Sequence, residues 1–392
     1  MFSLNFLLTM TFRRGIILLF LLNFIMLFFF LFLSLNDHSI SISHSPTSKR
    51  EKIHLLIVSS WRSGSSFLGQ IFNQHNDVFY LYEPGHPIWM RLKQESAELL
   101  QYTVRDLLRS LFNCNVSPLH PYLPSRVQRI SHIDFFSESR ALCSPPACSS
   151  LIHLESYDQT TCYYRCGNAS LDKMEESCRS YSHVVIKTVR VFDFSVLLPL
   201  LQDPTLNLKI LHLVRDPRAV AASRKKGKYY LSIDDNIVIK DGMDGKKLSQ
   251  DQVMMKICKS QVAIYKEAKS SGMFSRGRYM LIRHEDLAME PLANAKRLLK
   301  YAGLHLTSDL EKWIYNVTHH DIKQLNDFLS FSREAAKVIQ KWRGELDFKM
   351  VKNIEKYCKG AMKAFGYLPL NSEKEMKNLT LNLITNIKEE PL

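Results

Sequence analysis

Residues 55–72 read LLIVSSWRSGSSFLGQIF, an order that few architectures accommodate. Residues 55–58 are a short apolar run bounded by polar residues, the pattern of a buried strand. A small, hydroxyl-rich turn with one glycine, Gly64, follows. Phe67, Leu68, Ile71 and Phe72 then recur at helical spacing, with Ser65 or Ser66 placed to cap that helix. Strand, glycine-bearing turn and helix form a cradle for phosphate. The first-turn amides lack intrahelical partners, and the helix dipole favours an anion there. The turn is not a Walker A nucleotide loop, which requires G-x-x-x-x-G-K-[ST]. Ser59 stands where that motif has its first glycine, Ser65 stands where it has lysine, and the cation comes earlier as Arg62.

A second stretch, residues 208–223, reads LKILHLVRDPRAVAAS. Its first half is another buried-strand pattern. Asp216 and Pro217 are an N-cap and first-turn pair, so a helix is expected from Arg218. Arg215 ends the strand, and Ser223 lies eight residues on. A guanidinium and a hydroxyl thus meet near a helix N-terminus, a second anion site. Two such sites at the carboxyl ends of parallel strands suit one ligand carrying two separate phosphate groups.

The segments WRSGSSFLGQIFNQH, VIKTVR and LVRDPRAVAASR resemble the Golgi carbohydrate 6-O-sulfotransferases, in particular the branch acting on N-acetylglucosamine. The likeness runs over residues 52–370. It implies a three-layer α/β sandwich around a parallel sheet, with a P-loop-like phosphosulfate-binding turn, and 3'-phosphoadenylyl sulfate as co-substrate without a metal. The first loop, Trp61, Arg62, Ser63, Gly64, Ser65, Ser66 and Phe67, would hold the 5'-phosphosulfate. The second, Arg215, Asp216, Pro217, Arg218, Ala219, Val220, Ala221, Ala222 and Ser223, would hold the 3'-phosphate through Arg215 and Ser223. A similar serine-arginine and tryptophan-arginine occur near the nucleotide in the family, matched here by Ser332-Arg333 and Trp342-Arg343. The implied reaction is sulfation of the 6-hydroxyl of N-acetylglucosamine on keratan- or mucin-type glycoprotein chains, with galactose and N-acetylgalactosamine as alternatives. Oligosaccharide acceptors and the Golgi membrane are the implied partners. Nucleic acid has no role, and a homodimer is compatible.

Residues 78–84, VFYLYEP, are an apolar strand ending on Glu83 and stopped by proline. Such a strand places Glu83 at the same sheet edge as the two loops, where a carboxylate suits a general base. Arg62 is the other catalytic expectation, neutralising charge on the leaving oxygen. His86 and His75 are the alternatives for the base. Lys187 and Arg190 close another strand, ahead of the second loop.

Residues 16–35 are almost wholly apolar and long enough to cross a bilayer. Arg13 and Arg14 precede them, and no Lys or Arg follows before Lys49, which orients the N-terminus to the cytosol. The expected order is a cytoplasmic tail (1–15), a signal anchor (16–35), a stem (36–52), a lumenal domain (53–370) and a dispensable tail (371–392). Sequons at Asn115, Asn168, Asn316 and Asn378 fit that side of the membrane, as do eight cysteines beyond the anchor. Cys143, Cys148, Cys162, Cys166 and Cys178 cluster in the irregular stretch 113–182, read as an insertion facing the acceptor. Their spacing lacks the paired C-x2-C of a zinc site, so disulfides are expected. Cys258 and Cys358 either pair or stay as buried thiols. Residues 225–247 read as a surface loop, and 349–365 as one final helix. The net charge of +14 suits an anionic donor and product. Two rivals stand beside this reading: a P-loop kinase or nucleotidase, weakened by the missing Walker lysine and the lumenal setting, and a non-catalytic, membrane-anchored glycan-binding protein.

Overall fold

The computed structural model describes residues 25–26, 52–124, 128–149, 159–240, 250–319 and 335–387. The expected cytoplasmic tail, anchor and stem lie outside the described residues, apart from Ile25, Met26 and Lys52. Among the described residues no helix is long and apolar enough to cross a membrane.

Residues from Lys52 onward form one compact unit around five strands: β1 (Ile53–Val58), β2 (Val78–Tyr82), β3 (His183–Thr188), β4 (Asn207–Val214) and β5 (Tyr279–Arg283). All pairings are parallel, in the order β2-β3-β1-β4-β5. Leu56 stands opposite both Ile186 and Ile210 in the central register. The strands read as unbroken apolar runs because both faces are covered. Leu56, Val58, Phe79, Ile186 and Ile210 point into one core, while Leu55, Ile57, Tyr80, Val185 and Leu213 point into another. The expected three-layer sandwich is therefore present.

The helices that position the site are α1 (Ser65–Asn73), α2 (His86–Arg91), α3 (Ala97–Phe112), α4 (Pro217–Lys226), α5 (Ser232–Ile239), α6 (His284–Met289), α7 (Pro291–Ala302) and α8 (Ser308–His319). The apolar stripe of α3, Leu100, Val104, Leu107, Leu108 and Leu111, is buried on the first core. Each such side chain contributes about 1.5–3 kcal/mol. Ser96 caps this helix by accepting from the Leu99 amide. Helices α1, α7 and α8 cover the opposite face.

Among the described residues, the stretch 113–182 has short 3-10 turns and two helices, Gln159–Cys166 and Asp172–Ser180. Three disulfides pin it: Cys114–Cys178, Cys143–Cys162 and Cys148–Cys166. Each closes a loop whose constraint on the unfolded chain is on the order of 3 kcal/mol. Cys258 pairs with Cys358, so no cysteine is free.

Three expectations change. Residues 225–247 are not simply a loop: Ser232–Ile239 is helical, with Ile237 and Val238 buried, and 241–249 lie outside the described residues. The final helix is two, Phe348–Tyr357 and Lys359–Phe365, broken where Cys358 leaves helical geometry at φ −104°, ψ 16°. The tail after Leu370 is packed rather than loose. Met376 and Leu383 are buried, Arg343 donates to the carbonyls of Asn378 and Leu381, and Arg283 donates to that of Thr385.

Candidate functional site

Every strand delivers residues from its carboxyl end to one cavity of about 650 Å³. Trp61 and Arg62 follow β1, Glu83 follows β2, Val189 and Arg190 follow β3, Arg215 follows β4, and His284 follows β5. The chain leaves β1 towards β2 and leaves β4 towards β5, in opposite directions across the sheet. That divergence opens a crevice at the β1/β4 switch point, where open α/β sheets bind ligands.

The first loop forms the expected cradle, with one correction. Neither Ser65 nor Ser66 caps α1; Gly64 stands at the N-cap in the left-handed region (φ 87°), with no side-chain cap. The first-turn amides of α1 are thus left to whatever enters the cavity. Ser66 instead shares a hydrogen bond with the Tyr82 hydroxyl (2.9 Å). Ser63 bonds Ser60 (2.7 Å) and does not line the cavity, whereas Trp61, Arg62, Gly64, Ser65, Ser66 and Phe67 do. A Cβ on Gly64 would lie 2.3 Å from His284 Nδ1. Gly64→Ala is therefore strained twice, in φ and by this contact. It is expected to destabilise the fold by about 1–3 kcal/mol and to weaken donor binding, read by thermal melting and nucleotide titration. Unchanged melting and affinity would disprove the close fit.

The second loop is only partly a ligand surface. Asp216 caps α4 by accepting from the Arg218 amide (2.9 Å), as expected. Arg215, Ala219, Ala222 and Ser223 line the cavity; Asp216, Pro217, Arg218, Val220 and Ala221 do not. Arg218 is the clearest departure from expectation. Its guanidinium is fully buried, held by Asp216, Glu355 and the Leu368 carbonyl, and stacked on Trp342 at 4.4 Å. A buried arginine must be paired, and this one serves the fold. The two loops meet directly. Arg62 Nε donates to Ser223 Oγ (2.9 Å), and Arg215 Nη1 donates to the Arg62 carbonyl (3.0 Å).

Glu83 lies in a cage. One carboxylate oxygen accepts from Lys187 Nζ and the other from Arg190 Nη1, and all three side chains are almost fully buried. Burial alone would raise the carboxyl; Lys187 and then Arg190 outweigh it and hold Glu83 down to about 2. Lys187 also lies 3.6 Å over the Tyr82 ring. Glu83 takes a left-handed backbone at φ 47°, and Arg62 does so at φ 70°. Strain of this kind collects at functional sites. Arg190 reaches on to Asp234 (3.3 Å), whose carboxyl is raised by burial.

His86 lines the cavity, its Nδ1 2.7 Å from Asp134 Oδ2. His75 does not line it; His75 is buried and bonded to the His305 carbonyl. Trp342 reaches the cavity, but Arg343 turns to the tail, and Ser332-Arg333 lie outside the described residues. The sequence reading missed His284, Asp234 and Phe135. His284 is buried against the phosphate turn with both ring nitrogens lacking a protein partner; burial and then Arg215 push it well below the usual histidine range. Its place at the end of an apolar strand was the available signal.

Arg62, Lys187, Arg190, Arg215, Lys226 and Lys341 face the cavity, against Glu83, Asp234 and Glu345. The balance is cationic, as an anionic ligand requires. Residues 52–366 match the family model described as "Sulfotransferase domain". The chain is 45% identical to human carbohydrate sulfotransferase 6 over 346 residues, covering 87% of each. It is 44% identical to human carbohydrate sulfotransferase 5, covering 87% of this chain and 84% of that one. To mouse carbohydrate sulfotransferase 4 it is 39% identical over 380 residues, covering 96% and 97%.

Proposed function

This chain belongs to the sulfotransferase-domain family and shares its carbohydrate sulfotransferase relatives over most of their length, and we propose that it moves sulfate from 3'-phosphoadenylyl sulfate to the 6-hydroxyl of N-acetylglucosamine on glycoprotein glycans. The observation that carries this reading is the pair of joined anion cradles at one cavity, bridged by Arg62 and Ser223. Residues 61–67 would receive the phosphosulfate end, and Arg215 with Ser223 the 3'-phosphate. The residues present suit such a ligand. An uncapped helix N-terminus, guanidinium groups, and a buried imidazole without a protein partner all face the same space.

Sulfonate transfer needs a held donor, neutralised charge on the bridging oxygen and an acceptor for the hydroxyl proton. The α1 amides and Arg62 serve the first two. Glu83 belongs to the reacting centre through Lys187 and Arg190, whose charges it fixes in the cavity wall. We assign the protein to the Golgi membrane, anchored by residues 16–35 with its catalytic domain in the lumen. Asn115, Asn168, Asn316 and Asn378 are all exposed, as glycosylated asparagines must be.

The test is transfer by the membrane-bound full chain from radiolabelled 3'-phosphoadenylyl sulfate to a panel of oligosaccharides ending in N-acetylglucosamine, galactose or N-acetylgalactosamine. Label on the 6-hydroxyl of terminal N-acetylglucosamine is the expected result. Label on galactose or N-acetylgalactosamine would move the acceptor assignment. Donor binding without transfer to any sugar would leave a glycan-binding protein.

A further inference from the structure

We infer that His86, oriented by Asp134, accepts the proton of the acceptor hydroxyl. The inference rests on the sulfate-transfer reading above and assigns its base. Glu83 is the obvious carboxylate, but both of its oxygens are committed to buried cations. A group so tightly held in its ionised form is a weak proton acceptor. Its structural task, fixing Lys187 and Arg190, is already complete.

His86 offers what Glu83 lacks. It stands at the first position of α2, three residues after Glu83, and its amide donates to the Glu83 carbonyl (3.0 Å). Its side chain lines the cavity and is 20% exposed. Nδ1 donates to Asp134 Oδ2 at 2.7 Å, which fixes the tautomer with the lone pair on Nε2. The edge of Phe135, with ring centroids 5.2 Å apart, helps hold the ring. This is the base-and-orienter arrangement in which a third group sets the geometry of the imidazole. The charged groups facing it are Asp134, Asp234 across the cavity, and Glu83 with its paired Lys187 and Arg190. His284 is the other imidazole of the cavity, but it packs against Gly64 on the donor side.

In the step, the acceptor oxygen forms a bond to sulfur as the bond from sulfur to the bridging phosphate oxygen breaks. The electron pair leaves with the phosphate. The hydroxyl proton passes to His86 Nε2 and later to solvent. His86 touches the reacting atoms; Asp134 is a positioning residue.

The experiment measures single-turnover transfer by the membrane-bound full chain to an N-acetylglucosamine-terminated oligosaccharide, from pH 5 to pH 8. His86→Ala is expected to lower the rate about 10²-fold or more, to lose the acidic limb of the profile and to regain rate with added imidazole. Asp134→Asn should lower kcat about tenfold, the scale of one charge-assisted hydrogen bond, displace the limb, and leave KM for the sugar nearly unchanged. Glu83→Gln should keep the limb in its residual rate. A limb that persists in His86→Ala, or that vanishes in Glu83→Gln alone, overturns the assignment. Should His86→Ala fail to fold, Asp134→Asn decides: a wild-type rate and limb overturn it. No transfer by the wild-type chain would instead overturn the function reading, and this inference with it.

Discussion

Glu83→Gln is expected to cost about 3–5 kcal/mol of stability at neutral pH and to lower sulfate transfer by about 10²–10³-fold. The amide keeps the shape of the side chain but loses its charge, and its NH2 end must face a cation. Lys187 and Arg190, each about 1% exposed, are then left without their shared carboxylate. Removing one partner of a buried ion pair is far more costly than never having built it. The backbone adds to this, because a glutamate at φ 47° persists only where its surroundings over-determine it. The same cage predicts a pH dependence. The folded carboxyl lies at about 2, below its ordinary value of 4.5. Its contribution is therefore fully present above pH 4.5 and fades as pH falls towards 2. The displacement corresponds to about 3 kcal/mol. Urea titrations of both proteins at pH 7 and pH 3 test this. The wild type should lose stability between the two pH values, and the variant should lose much less. Equal midpoints at pH 7 would refute the cage.

The cage also marks the limit of what the sequence conveys. Residues 53–73 were legible because strand, turn and helix are adjacent and each carries its own pattern. The same holds for the Asp216-Pro217 start of α4. The parallel sheet was implied by the family resemblance, and its central strands carry apolar runs of their own. What escaped is non-local. Glu83 meets Lys187 and Arg190 across 104 and 107 positions, and His86 meets Asp134 across 48. Arg218 reads as a ligand arginine from its neighbours, yet Glu355 and the Leu368 carbonyl, distant in sequence, draw it inward. The disulfide partners in 113–182 have no local signature either. The tail looked dispensable because its apolar residues are scattered among polar ones, Met376 and Leu383 among them. Their burial is decided by the surface they land on.

Arg62→Ala is the second change with a large expected effect, and it bears on the donor rather than on the fold. Arg62 joins the two cradles through Ser223 Oγ on its side chain and Arg215 on its carbonyl. Alanine keeps the carbonyl link and removes the charge and the Nε donor. The left-handed backbone at φ 70° strains arginine and alanine alike, so the stability difference should stay within about 1 kcal/mol. Transfer should fall by about 10²–10³-fold, the range found when a preorganised donor to a developing charge is deleted. Affinity for 3'-phosphoadenosine 5'-phosphate should fall with it. Arg62→Lys separates charge from geometry. An ammonium keeps the field but lacks the planar fork that engages Ser223 and an anion together, so it should recover affinity more than rate. Ser223→Ala should be milder, about tenfold, because Arg62 and Arg215 remain at the junction. Calorimetric titration with the bisphosphate, beside single-turnover transfer, distinguishes these cases. An Arg62→Ala protein that binds and transfers like the wild type would mean that the bridge between the cradles carries no catalytic charge.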